Sequence, residues 1–252
     1  MKPAPFAVIA GLFFGILTCG AGGPQSMDFY AERVPFQDVT FDVVTLDLRK
    51  VSLQTFKAKS DHPQPINAAW VKQIVERQKR KLLAATNGGI FNPGFIPAGL
   101  YIEGGKEWVG LNVKEGRGNF YLQPNGVFLI GQNGQAEIYP SLAYLAARKK
   151  AQYAIQSGPL LLNKGKIHPA FREGSKNRYI RNGVGIIDEH HVVLVISNAP
   201  VNLYTFARFF RDYAECHSAL YLDGAISNMY IPSLGRNETQ GKFASMVAVV
   251  RK

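Results

Sequence analysis

The clearest hydrophobic pattern begins at Val39. Val39, Phe41 and Val43 fall on one face of an extended segment, and Val44, Leu46 and Leu48 on the other. A strand apolar on both faces belongs in the middle of a sheet, and residues 51–57 read as its returning neighbour. Pro63 and Pro65 then interrupt. Asn67 is placed to cap a helix with Ile66, Trp70 and Ile74 along one side, and Arg77, Lys79, Arg80 and Lys81 at the carbonyl end, where cations are favoured. Residues 82–86 resume as a buried strand. Alternation around Pro124-Asn125-Gly126 predicts a hairpin over 120–130. Ser141 opens a short helix to Ala147. Residues 153–162 read as a strand broken at Gln156-Ser157-Gly158-Pro159, and 168–181 as a polar, exposed loop. Residues 184–187 and 192–196 form a hairpin around Asp188-Glu189-His190-His191. Pro200 and Asn202 precede a helix with Phe206, Phe209, Phe210 and Tyr213 on one face. Strands follow at 219–222 and 243–250. Hairpins mixed with single helices, without regular strand–helix alternation, predict an α+β fold. The expectation is one domain over 28–252, with a mixed, largely antiparallel twisted sheet flanked by a few helices.

Composition adds limits. The chain has 252 residues, 46% of them hydrophobic, enough for one substantial core. A net charge of +11 favours anionic ligands or surfaces. Its cations are scattered except over 72–81, and neither zinc-finger spacing nor an RNP-like aromatic motif is present, which argues against nucleic acid. Residues 1–26 read as an export signal: Lys2, an apolar stretch over 6–17 too short to span a membrane, then Cys19 and Ala21 before a cut after Ala21. The mature protein is then periplasmic or secreted, with no transmembrane segment left. Ile16-Leu17-Thr18-Cys19 loosely resembles a lipobox, so lipid attachment at Cys19 is the second reading. Cleavage leaves Cys216 as a lone cysteine, read as core filler.

Candidate chemistry is sparse. His190-His191 point apart and have no third ligand near in sequence, so no metal is expected. Neither a G-x-S-x-G elbow nor a P-loop lysine occurs, and no cofactor is implied. What recurs is an apolar strand, a sharp break and small polar residues. It is seen at Asn87-Gly88-Gly89, Ser157-Gly158-Pro159, Arg181-Asn182-Gly183 and Asp223-Gly224. Four strands ending this way can line one cleft. Amides and hydroxyls suit sugar oxygens, arginine suits phosphate, and one carboxylate is at hand.

Those segments, in that order, resemble the phosphodiester glycosidase family related to the mannose-6-phosphate uncovering enzyme. Asn87-Gly88-Gly89-Ile90-Phe91 is similar to its N-G-G-F-F segment, and Gln156-Ser157-Gly158-Pro159-Leu160-Leu161 to its Q-S-G-P-x-L strand. Residues 181–185 resemble R-x-x-(I/V)-G, and 222–227 resemble L-D-G-G-x-S. Residues 168–175 and Met229-Tyr230-Ile231-Pro232 look like the bacterial exported YigE-like branch. The resemblance implies hydrolysis of the bond between a sugar's anomeric carbon and a phosphodiester, with a glycosyl phosphodiester or phosphorylated glycan as partner. It places Asp223 as the catalytic carboxylate and Arg181, with Arg172, on the phosphate. Asn87, Ser157 and Ser227 orient oxygens beside Gly158, while Gly88, Gly89 and Gly224 leave room. Glu103 and Glu173 are candidates for a second carboxylate. One departure stands out: Ala225, then Ile226, follow where the family has a second glycine, which narrows the space beside Asp223. Two other readings remain: a non-catalytic periplasmic binder of phosphorylated glycans, and a structural protein of the cell envelope.

Overall fold

Three large sheets, with a fourth of only two strands, organise the described residues. The computed structural model describes residues 28–58, 64–147, 149–223 and 226–252, and the expected signal segment, Cys19, Gly224 and Ala225 lie outside them. The first sheet runs in the order Phe29–Phe36, Val39–Asp47, His191–Ser197, Asn182–Ile186, Ser218–Tyr221, Leu160–Asn163, Lys166–Ile167. The second runs Ala136–Pro140, Gly126–Gly131, Ala151–Ser157, Tyr101–Glu103, Lys106–Val109, and the third Arg236–Asn237, Met229–Ile231, Leu82–Asn87, Met246–Arg251, Val51–Phe56. Each strand pair described is antiparallel. The largely antiparallel pairing and the few helices are as expected, but the single mixed sheet divides, among the described residues, into three large antiparallel sheets and a two-stranded one, and strand far outweighs helix.

The strand Val39–Asp47 explains the arrangement. Its two apolar faces serve two cores, as their alternation predicts. Val44, Leu46 and Leu48 enter a cluster that also holds Leu53, Leu83 and Val249 of the third sheet and Tyr101, Phe128 and Ile155 of the second. Phe41 and Val43 face outward into a second cluster with Phe206, Phe209 and Phe210. The three sheets thus share one interior, and a helix covers the outer face of each: Leu203–Arg208 the first, Ser141–Ala147 the second, Ala68–Arg77 the third. Asn67 caps its helix as expected, and Asn202 caps the helix it precedes, each Oδ1 accepting from the backbone N–H three residues on, at 3.0 and 2.8 Å.

Several local expectations fail for one reason, that the chain changes sheets where the sequence suggests a simple return. Residues 51–56 pair with Met246–Arg251, not with the strand before them. Pro124-Asn125-Gly126 makes no hairpin. Asn125 is buried and donates to Phe120 O at 2.8 Å, while the Pro124 and Asn125 carbonyls accept from Leu160 and Ser141. The break at Gly158-Pro159 carries the chain from the second sheet into the first. On the helix Ala68–Arg77 the buried face is Ala68, Val71 and Val75, with Trp70 and Ile74 only partly covered. The loop after His168 is not uniformly exposed, because His168 and Arg181 are buried.

Candidate active site

The four broken strands do meet, and Asn182 joins its own to those of Asn87 and Asp223. This amide opens the strand Asn182–Ile186 and is fully buried. Its Oδ1 accepts from the Asp223 backbone N–H at 3.1 Å, on the neighbouring strand's exit. Its Nδ2 faces three acceptors on the third sheet: Thr86 Oγ1 at 2.7 Å, Asn87 Oδ1 at 3.0 Å and Asn87 O at 3.1 Å. The amide cannot turn over, since an acceptor would then meet the Asn87 carbonyl and a donor the Asp223 N–H. Thr86 Oγ1 donates onward to Asn228 O at 2.9 Å, and Asn87 Oδ1 also accepts from Asn228 N at 2.8 Å. Ser227 Oγ donates to Asp223 O at 2.6 Å and lies 3.2 Å from Asn182 Oδ1. Asp223 itself is half-buried at the mouth of Ser218–Tyr221. Asp223, Asn87 and Ser227 are therefore brought together as expected, through Asn182.

Ser157 reaches the same place from the second sheet. Its Oγ donates to Leu222 O at 2.6 Å and accepts from Ile90 N at 3.3 Å, tying the Asp223 strand to the turn after Gly88-Gly89. The two glycines give close approach. A Cβ on Gly89 would lie 2.8 Å from Gln156 O and 3.0 Å from Ser157 Cβ, and one on Gly88 would collide with Ser245 Oγ. Gly158 has a packing reason of its own, since a Cβ there would sit 2.6 Å from Asn125 Cβ.

Arg181 requires correction as a phosphate ligand. Its backbone alternation with Asn182 sends it to the opposite face of the first sheet, where it is fully buried. Nε donates to Val201 O at 2.7 Å, Nη1 to Tyr221 Oη at 2.8 Å, and Nη2 to Asn177 Oδ1 and O at 2.8 and 3.0 Å. Burial lowers its pKa, with Tyr221 opposing. Such a guanidinium orders the 177–181 segment and the Tyr221 strand instead of presenting itself to a ligand. Arg172, on the same loop, is exposed and donates through Nη1 to Pro169 O and Phe171 O at 2.8 and 3.2 Å. It lines a cavity of about 210 Å³ with Asn119 and with the Asn177 that holds Arg181.

The two candidates for a second carboxylate sit elsewhere. Glu103 Oε2 accepts from Lys57 N and Tyr101 Oη at 3.2 and 2.9 Å. It faces Tyr153, four residues along the strand from Ser157 and so about 13 Å away at ~3.3 Å per residue. The Glu173 side chain is 76% exposed, 3.9 Å from Arg208 Nη1. His191 Nδ1 lies 2.7 Å from Asp188 Oδ2 in its hairpin. Burial pushes the Cys216 thiol up to about 12, in keeping with a core residue. Sequence reasoning passed over Asn182, Thr86 and Asn228 as site residues. The signal for Asn182 was available: a lone amide opening an otherwise apolar strand.

Residues 80–250, which contain all of these positions from Thr86 to Asn228, match the family model of the phosphodiester glycosidases. The chain belongs to that family. It is 38% identical over 168 residues to the uncharacterized protein YigE of Escherichia coli (strain K12), an alignment covering 67% of this chain and 65% of that relative's length. Among solved structures it is similar to the catalytic domain of zebrafish N-acetylglucosamine-1-phosphodiester alpha-N-acetylglucosaminidase, auto-inhibited by its pro-peptide. The TM-score is 0.61 at 17% identity, over 90% of this chain and 85% of that one. It is also similar to a hypothetical protein from Synechocystis, with a TM-score of 0.56 at 15% identity over 89% and 62% of the two chains. At those identities the likeness is one of fold. Membership of the phosphodiester glycosidases supports a hydrolase-type role. No helix among the described residues is long and apolar enough to cross a membrane.

Proposed function

We propose that the chain is an exported hydrolase that cleaves a sugar-1-phosphodiester at the glycosidic bond, with Asp223 as its catalytic carboxylate. The observation that carries this is the Asn182 clamp, which holds the Asp223 backbone at 3.1 Å and Asn87 on its other side, within a chain of the phosphodiester glycosidase family. The chemistry suits so sparse a site. A phosphate monoester leaves readily because its conjugate acid has a pKa near ~6, so strong proton donation is not required. Asp223 meets the positive charge that develops at the anomeric carbon, as nucleophile, as base for water or as electrostatic partner. Asn87, Ser157 and Ser227 orient oxygens around it. Arg172 takes the phosphate, and Arg181 acts through the loop it orders. The zebrafish enzyme of similar fold is named for hydrolysis of such a phosphodiester, which is in line with this reading.

The deciding measurement is sugar release from a synthetic sugar-1-phosphodiester by the purified protein and by Asp223→Asn. We expect kcat/KM to fall by about 10²–10⁴-fold with the fold retained. Full hydrolysis by a folded Asp223→Asn protein would remove the assignment. The second reading, a periplasmic binder without turnover, draws on the committed guanidinium of Arg181. It predicts binding of the same compound with no sugar released.

A further inference from the structure

Away from Asp223, the third sheet gathers charge of one sign. Its strands Leu82–Asn87, Met246–Arg251 and Val51–Phe56 lie side by side. At one end they carry Arg80-Lys81, Arg251-Lys252 and Arg49-Lys50. Contacts bind these pairs together. Arg251 N donates to Lys81 O at 3.0 Å, Arg80 Nε to Arg251 O at 3.2 Å, and Lys252 Nζ to Leu48 O and Arg49 O at 2.8 and 3.1 Å. Val51 stands opposite Arg251 in the register. Neighbouring strands are ~4.8 Å apart, so six cations from three distant parts of the sequence share one pole. Arg80 is half-buried and the other five are exposed. Arg49 is answered by Asp47 at 2.8 Å, with Asp188 and Glu189 also acting on it. The remaining five have no side-chain carboxylate within 4.0 Å among the described residues. Asn87 of the clamp closes the other end of its strand, six residues on from Lys81 and so about 20 Å away at ~3.3 Å per residue.

Cations just past a helix end need no partner, since the carbonyls there favour them. That accounts for residues 77–81 taken alone. It does not account for Lys50, Arg251 and Lys252, which the sheet brings beside them from the ends of other strands. Like charges held together repel, and an anionic partner relieves the repulsion. The shape of the pole indicates which partner. Its charges are spread over the open ends of three strands, and of the six only Arg80 lines the cavity of about 540 Å³ beside the helix Ala68–Arg77. Such a spread matches a continuous plane of phosphates better than one small anion. We propose that this pole docks on an anionic phospholipid surface, reversibly and through charge. The clamp around Asp223, at the opposite end of the strand, then faces away from the bilayer. This docking is independent of the hydrolase reading and sets the direction in which the candidate site is presented.

The test is flotation of the purified protein with vesicles of phosphatidylcholine, alone or mixed with phosphatidylglycerol, at ~0.1 M salt. Binding to the anionic vesicles is expected to be at least about tenfold stronger. It should disappear at ~1 M salt, where the screening length falls to about 3 Å. Lys50→Gln, Lys81→Gln and Arg251→Gln together remove three exposed cations from the pole. At roughly fivefold for each, binding weakens by about a hundredfold. Lys114→Gln, Arg117→Gln and Lys176→Gln remove as many exposed cations elsewhere, from loops tied to Gln156 through Asn112 and to Asn202 through Ser175. This second triple variant should change binding by less than about threefold. Equal binding to both kinds of vesicle overturns the proposal, as does a loss just as large in the second triple variant, which would make net charge and not the pole responsible. So does duplex DNA that binds more tightly than the anionic vesicles at the same salt and is released by the first triple variant, since the pole would then be a nucleic-acid surface.

Discussion

Asn182 accepts at one end and donates at the other, and both ends are buried. Removing it leaves the Asp223 N–H and two Asn87 oxygens to reorganise. An unsatisfied buried polar group costs about 1–3 kcal/mol. Asn182→Ala is therefore expected to lower unfolding stability by roughly 2 kcal/mol in urea titration and to lower kcat/KM by about a hundredfold, the order expected when a catalytic group is displaced by ~1 Å. Asn182→Asp separates position from volume. It keeps the acceptor toward Asp223 but sets a carboxylate oxygen against the Asn87 carbonyl, so it should be as inactive as the alanine variant. Near-wild-type turnover by the aspartate variant would mean that the Nδ2 bonds do not position Asp223.

At the scale of elements, a charged junction fastens the first sheet to the third near the same end. Asp42 is fully buried and accepts from Arg33 Nε and Nη2 at 2.7 and 3.1 Å, Asn198 Nδ2 at 3.0 Å and Arg236 Nη1 at 2.9 Å. Burial opposes its ionisation, but the hydrogen bonds from Arg33, Asn198 and Arg236 outweigh it and hold its pKa below the ordinary value. A depressed folded-state pKa stabilises the protein above the unfolded pKa of about 4, and the gain disappears as pH falls through the folded value. Asp42→Asn should thus cost about 3 kcal/mol at pH 7, with the gap to wild type closing below pH ~4. A gap that stays constant in urea titrations at pH 7 and pH 3 would exclude the ionic account. This junction also marks where the sequence stops being legible. The two-faced strand at 39–47, the Asn67 cap and the hairpin at 182–197 follow from local alternation and capping, and so they are readable. Sheet membership is not. Residues 51–56 look equally apolar whether they pair with the preceding strand or with Met246–Arg251, and only long-range burial decides. Arg181 and Asn182 are adjacent polar residues in the chain, and strand pleat alone sends one into the helix-covered core and the other into the site.

The three large sheets share one interior, and that has a consequence for how the protein unfolds. A chain of this size often unfolds in stages when each part has its own core. Here Leu46, Leu53 and Phe128, one from each sheet, sit in a single buried cluster, so no sheet can open without exposing the apolar face of the others. The two tryptophans report on different parts. Trp70 lies on the helix covering the third sheet, and Trp108 on the edge strand of the second. Fluorescence of Trp70→Phe and of Trp108→Phe, each followed against far-ultraviolet circular dichroism, should show coincident urea midpoints, each referred to its own dichroism curve. Leu46→Ala, in the shared interior and four residues from the Asp42 junction, should shift fluorescence and dichroism together by about 2–5 kcal/mol, with the variant combined with each tryptophan substitution in turn. Its kcat/KM well below the transition should stay near wild type, because Leu46 pairs with Val192, four residues or about 13 Å along its strand from Ile196, the partner of Asn182. Midpoints that separate, with Trp70 reporting earlier than Trp108 or the reverse, would mean that the helix-covered outer clusters, and not the common interior, set the cooperativity.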